Sequence, residues 1–238
     1  MNAVYLVIAV AVIMILIEQL RPGVEQPRVR GWIARLSLLN AIQIGVVFLG
    51  AATWDRWLPN FRLFDARPLG VAGGAAVGYL TITLVFYWWH RWRHEVPLLW
   101  RTLHQIHHSA ARIEVVTSFY KHPLEIAING VLMSSVLYVI CGLDAPTAAL
   151  VTAIAGIAEL VYHWNIATPY WLGFVFQRPE SHRRHHERDF HRCNYSDLPI
   201  WDWLFGTLDN PRLTPVECGF PEAHERQLGR MLLGGTPR

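Results

Sequence analysis

The sequence predicts an all-α integral membrane protein, with about four to five transmembrane helices and a cytosolic helical cap that carries a histidine-rich dinuclear metal site. Three observations predict this class. Of 238 residues, 53% are hydrophobic and only 16% charged, with a mean hydropathy of +0.23, unusual for a soluble chain. Apolar runs long enough to cross a bilayer recur along the chain. Beside them, three stretches repeat one kind of spacing: His90-x3-His94, His104-x2-His107-His108 and His182-x2-His185-His186.

Residues 3–20 are apolar up to Glu18 and Gln19, with neither a basic leader nor a small-residue cleavage site, which predicts a retained first span. A short basic loop holding Arg21, Arg28, Arg30 and Arg35 precedes a second apolar run at about 37–53, and Trp54 and Trp57 follow at an interfacial position. The turn-rich stretch 55–68 leads into a third run, Leu69 to Trp89. Gly70, Gly73, Gly74 and Gly78 lie in its first half, where small residues let helices approach closely. Residues 90–123 are too polar to span. Two more apolar runs, Leu124–Cys141 and Ala145–Tyr162, are separated by Gly142-Leu143-Asp144, as in a tight helical hairpin. After Asp209 the composition predicts a loosely ordered tail with a short helix at about 222–233 and no chemistry. Three regions follow: membrane helices and loop over 1–68, a region over 69–210 that carries every histidine motif, and the tail over 211–238.

Charge placement sets an orientation. Twenty of the 21 basic residues are arginine; four lie in 21–35, five in 90–122 and nine after 163, against three in 55–68. Eighteen against three is a strong positive-inside asymmetry, and it puts every histidine motif on the cytosolic side. The same placement argues for membrane topology and against nucleic-acid binding. Cys141, Cys193 and Cys218 are too far apart to suggest a disulfide framework or an iron–sulfur centre.

On a helix, positions i, i+3 and i+4 share one face, so each histidine cluster can aim its imidazoles at one point. Eight imidazoles exceed the roughly four ligands of a closed zinc site, and two ions sharing them is the simplest arithmetic. Neutral imidazole suits Fe, Zn, Cu or Ni. Iron is the one that makes oxygen chemistry on a lipid C–H bond accessible, whereas zinc would only polarise water or a carbonyl.

Together with Leu99-Trp100-Arg101, His122-Pro123-x-Glu125, His163-x-Asn165, Asn194-Tyr195 and Trp201-Asp202-x-Leu204-Phe205-Gly206-Thr207, these clusters resemble the fatty acid hydroxylase / sterol desaturase superfamily from about Tyr87 to Thr207. The resemblance implies a membrane-embedded, non-haem diiron enzyme with two Fe ions per chain and O2 as co-substrate, which hydroxylates or desaturates a lipid. It also implies the ligand set His90, His94, His104, His107, His108, His163, His182, His185 and His186. Electrons would come from a separate donor, a ferredoxin or cytochrome with its reductase. The chain departs from the family at Phe119-Tyr120-Lys121, where arginine is frequent, and at Ser196, where glycine is usual.

Four further residues are candidates around the metal. His122 is placed beside the ligands or facing the substrate, with a purely structural role as the alternative; Glu159, four residues before His163, is placed among the ligands or as acceptor of a ligand N–H, and alternatively snorkels to water or pairs with an arginine. Asn194 and Asp202 are candidates for orienting ligand N–H groups. His191 is expected to face solvent. Two other functions compete. A haem or metal electron-transfer protein would need histidines deep in facing spans, and a zinc-dependent hydrolase would carry fewer ligands and a carboxylate base.

Overall fold

A computed structural model describes residues 2–214 and 217–237. The described residues form helices and turns; their only β-pairing is an isolated bridge between Glu187 and Cys218. The elements that matter for the site are α1 (Asn2–Leu20), α2 (Trp32–Ala52), α3 (Gly70–Glu95), α4 (Gln105–Ser109), α5 (Pro123–Ser134), α6 (Ala145–His163), α7 (Pro179–His185) and α8 (Pro199–Leu204). A π-helical stretch, Ser135–Ile140, prolongs α5.

Four helical segments are long and apolar enough to cross a membrane: Trp32–Asn60, Arg67–Glu95, Pro123–Ile140 and Ala145–His163. The apolar stretch Tyr5–Leu20 within α1 is shorter. Large apolar side chains such as Ile13, Phe48 and Leu80 point outward, as lipid-facing surfaces require.

The core of the bundle lies where α3, α5 and α6 meet, around Ile82, Leu137, Leu143 and Val151. Gly74 and Gly78 make that contact possible: a Cβ on Gly78 would sit 2.8 Å from the Leu143 side chain and 3.2 Å from Val151. Gly70 and Gly73 meet no neighbouring helix; Gly70 instead starts α3 with φ +68°.

The arginine-rich segments gather at one end of the bundle and the three-arginine loop at the other. Leu63 and Ala66 donate N–H bonds to the carbonyls of Val139 and Cys141, next to the 142–144 turn. At the opposite end, the Gly23 N–H bonds to the Asn165 carbonyl and the Arg112 guanidinium to the Pro27 carbonyl. Glu18 closes the same end: its buried carboxylate accepts the backbone N–H groups of Val115 and Asn165, each at 3.1 Å.

The tail is the main departure from expectation. Instead of lying loose, residues 217–235 strap across the histidine end. Gly219 and Phe220 donate to the carbonyls of His186 and Ser109, Glu225 forms an ion pair with Arg35 at 2.7 Å, and Leu228 and Met231 complete a core with Trp32, Leu39 and Ile106. Short helical turns occupy Glu222–Glu225 and Leu228–Leu232.

Candidate metal centre

Nine imidazoles converge at this end, from five elements. Helix α3 supplies His90 and His94, one turn apart on one face, with ring centroids 5.1 Å from each other. The chain then turns through a π-helical stretch, Trp100–His104, whose last residue is His104, into α4, which brings His107 and His108 inward. The last residue of α6 is His163. Helix α7 begins on Pro179, whose missing N–H costs nothing at a first helical position, and presents His182 and His185, with His186 at its C-cap.

The imidazoles divide into two sets: His90, His94, His104, His108 and His185; and His107, His163, His182 and His186. Within each, one ligand atom per residue lies within 4.8 Å of every other. The sets are adjacent, since the His108 ring stacks on His186 with centroids 4.1 Å apart.

This corrects the expectation that each cluster aims at one point. The i and i+4 members stay together (90 with 94, 104 with 108, 182 with 186), whereas the i+3 members, His107 and His185, go to the opposite set. Adjacent helical positions differ by about 100°, so the last two histidines of each three-histidine run must diverge, and two sites can share one short helix. The second and third clusters therefore exchange one imidazole each.

Hydrogen bonds to the outer ring nitrogens fix which nitrogen faces inward. His90 Nδ1 bonds to the Tyr195 carbonyl at 2.9 Å, His107 to Tyr120 at 3.3 Å, His163 to Glu159 at 2.8 Å and His185 to Cys193 at 2.7 Å. A backbone carbonyl only accepts, so each Nδ1 carries the proton and each Nε2 presents a lone pair. His163 and His107 thus turn bare Nε2 atoms toward each other at 3.3 Å. Both nitrogens of His108, Nδ1 of His182 and of His186, and Nε2 of His185 are buried without a hydrogen-bond partner among the described residues. Burial also pushes the His107, His108 and His182 imidazoles well below their usual range and His185 down to about 3, so they are neutral at physiological pH. Crowded, neutral, dry lone pairs repel one another unless cations lie between them, and imidazole-rich sets of this kind fit transition-metal ions.

Behind the imidazoles stands Glu125, fully buried. One of its oxygens lies 3.1 Å from His104 Nδ1, and it forms an ion pair with the buried Arg93. Sequence reasoning passed over Glu125 as an orienting group. The signal was there: a carboxylate in the first turn of an apolar span is costly without a partner.

The other candidates lie outside both sets. The Glu159 side chain pairs with Lys121, while its backbone carbonyl holds His163. His122 caps α5, accepting the Leu124 N–H at Nδ1 and donating from Nε2 to the Leu232 carbonyl in the strap. Asp202 accepts the N–H groups of Tyr195 and Ser196 and the Thr207 hydroxyl; burial pushes its carboxyl up to about 7 against those bonds. Asn194 bridges the carbonyls of Ser181 and Asp209. Neither side chain bonds to an imidazole; Asp202 acts at one remove by fixing Tyr195, whose carbonyl aims His90.

His191 is half-buried rather than solvent-facing, 5.2 Å by ring centroid from both His108 and Trp100. It lies in a loop where Asp189, His191, Cys193 and Asn194 all take positive φ, between 40° and 68°. Four such non-glycine residues in one loop are strained backbone, held in place because the Cys193 carbonyl must reach His185.

Comparison with known proteins points the same way. The family model for fatty acid hydroxylase matches residues 75–207. The chain is 31% identical over 141 residues to an ornithine lipid hydroxylase, OlsE, of Rhizobium tropici, covering 57% of this chain and 41% of the relative. It is 30% identical over 158 residues to human alkylglycerol monooxygenase, covering 63% and 34%. A third relative, 26% identical over 125 residues, is a very-long-chain aldehyde decarbonylase, GL1-9, of Oryza sativa subsp. indica, with 51% and 48% covered. The chain thus spans less than half the length of these relatives. No solved structure matches it.

Proposed function

Since the chain belongs to the fatty acid hydroxylase family, we propose that it is a membrane-bound, O2-dependent, non-haem diiron oxidoreductase that hydroxylates a C–H bond of a lipid. The observation that carries this reading is the pair of adjacent imidazole sets with inward-facing lone pairs. His90, His94, His104, His108 and His185 would hold one iron, and His107, His163, His182 and His186 the other. Two bound irons supply the reductive activation of O2 that an unactivated C–H bond requires.

The protein's own part is positional. Backbone carbonyls and Glu125 lock the rings that they touch, burial excludes water, and the attached apolar helices offer a lipid a path that never leaves the membrane. A haem is not favoured, because it takes two imidazoles on opposite faces of a macrocycle, whereas these sets crowd five and four imidazoles around one point, where the macrocycle would have to lie. A four-ligand zinc hydrolase is not favoured either, since nine converging imidazoles exceed its needs.

Two relatives' names specify lipids, an ornithine lipid and an alkylglycerol, and a lipid substrate is proposed here by analogy. Electrons are proposed to come from a separate ferredoxin or cytochrome with its reductase. The arginine asymmetry supports a cytosolic metal site.

The test is mass spectrometry of lipids from cells expressing the protein or its His182→Ala variant. One lipid class gaining a single oxygen only with the unaltered protein is expected. Loss of two hydrogens would shift the reading to desaturation, and indistinguishable lipid profiles would refute it.

A further inference from the structure

Beyond the spanning helices, a second apolar surface lies on the flank of the histidine end. It is built by a helical turn, Tyr170–Phe174, and by α8. Trp171, Phe174, Ile200, Trp203 and Leu204 are all exposed, Trp203 by 66% and Trp171 by 64%. An apolar patch of this kind on a water-facing surface would need covering.

Its position says what covers it. The Trp201 indole donates to the Thr83 hydroxyl of α3 at 2.9 Å, and the Ser196 hydroxyl to the Thr83 carbonyl at 3.2 Å. Phe205 packs on Tyr87 and Trp88 of the same helix, with centroids 5.0 and 4.8 Å away. Thr83 lies six residues before Trp89, where the apolar run of α3 ends, or roughly 9 Å inside that run at 1.5 Å per residue. The α8 surface is therefore continuous with the lipid-facing side of a membrane span, which includes the exposed Leu80.

Charge follows the same logic. Asp202 is the only ionisable side chain of acidic or basic type in either segment, and it turns inward, 1% exposed, onto the Tyr195 and Ser196 N–H groups and the Thr207 hydroxyl. Arg212 stands at the edge, its guanidinium 4.4 Å from the Tyr170 ring, as an arginine at headgroup level would.

We propose that Tyr170–Phe174 and Pro199–Leu204 form a wedge that enters the bilayer beside α3 without crossing it, with lipid acyl chains as the occupant of its exposed face. Such an element lies in the interface with its apolar side buried. It would seat the histidine end against the membrane, because the Asp202 network that holds Tyr195, and through it His90, is part of the wedge.

The experiment uses the full chain in phosphatidylcholine vesicles, with a nitroxide attached to Trp203→Cys or, independently, to Phe174→Cys. The three native cysteines are buried, and the unaltered protein serves as the labelling blank. Collision with O2, which concentrates in acyl chains, is compared with collision with chromium oxalate, which stays in water. Leu80→Cys is the lipid reference and Glu217→Cys the water reference. The wedge predicts an O2-to-chromium ratio several-fold above that at Glu217 and close to that at Leu80, at both positions. A ratio like that of Glu217 would overturn it, as would exclusion of both reagents, the mark of a face covered by protein. None of these outcomes depends on metal or on turnover.

Discussion

His104 Nδ1 lies 3.1 Å from an oxygen of Glu125, on the carboxylate that also neutralises the buried Arg93. One acidic side chain thus does two things at once: it orients a ligand imidazole and compensates a cation that the apolar helices could not otherwise tolerate.

Glu125→Ala should lower metal affinity at the five-histidine set by about 10- to 100-fold. It should also destabilise the fold by about 3 to 5 kcal/mol, because Arg93 is left buried and unpaired. Glu125→Gln keeps an acceptor for His104 and should retain more metal than the alanine variant. Iron per chain after dialysis against a competing chelator decides this. Equal retention in the unaltered and alanine proteins would remove Glu125 from the site.

The division into two sets makes a counting prediction. His94→Ala and His182→Ala disturb different sets, so each should weaken iron binding at one set and leave the other filled, with the larger loss from His182→Ala, which leaves three imidazoles instead of four, and the double variant should hold least. Elemental analysis of protein from iron-replete cells checks it, with zinc measured in parallel because it competes with Fe(II) for nitrogen ligands. Loss of all iron from a single variant would mean one indivisible centre.

Glu159 touches the site only through its backbone carbonyl, so Glu159→Gln and Glu159→Ala should both keep full iron content. Their cost should be about 1 to 3 kcal/mol of stability, from the partly buried Lys121 ammonium losing its partner. Iron loss in the alanine variant, with Lys121→Met iron-replete, would return the carboxylate to the metal.

Acid should unfold the metal-free protein through its imidazoles. His185 titrates near 3 in the fold against 6.5 as an ordinary imidazole, so between those values the unfolded chain binds the extra proton. Stability therefore rises with pH across that window. It is fully present above about 6.5 and is lost as pH falls toward 3. His107, His108 and His182 shift in the same direction and steepen the slope. The Tm of chelator-treated protein should fall progressively from pH 7 to 5, and a flat profile would contradict the neutral, buried state of these rings.

The spans and eight of the histidines were legible because both are written in local period: apolar runs of membrane length, and imidazoles at i, i+3 and i+4; His163, alone at the end of its run, was placed only by the family resemblance of His163-x-Asn165. The allocation of His107 and His185 to opposite sets was not, since it depends on helix phase relative to elements up to about 100 residues away. The partners of Glu159 and Glu125 were equally hidden; Lys121 and Arg93 are 38 and 32 residues distant in sequence. The tail misled for a similar reason. Its few apolar residues, Phe220, Leu228 and Met231, look incidental until Trp32 and Ile106 are placed beside them.

The exchange of imidazoles between the second and third clusters also fixes an order of assembly. Neither set is complete until α7 exists: one waits for His185, the other for His182 and His186. At about 5 to 20 residues per second, the ribosome reaches α7 roughly 5 to 20 s after it has made His90. During that interval the early histidines sit on inserted helices with no finished nest to receive an ion. On the proposed dinuclear reading, metal would load late in the protein's biogenesis, and a chain interrupted before residue 185 would leave loose imidazoles at the membrane surface instead of half a centre.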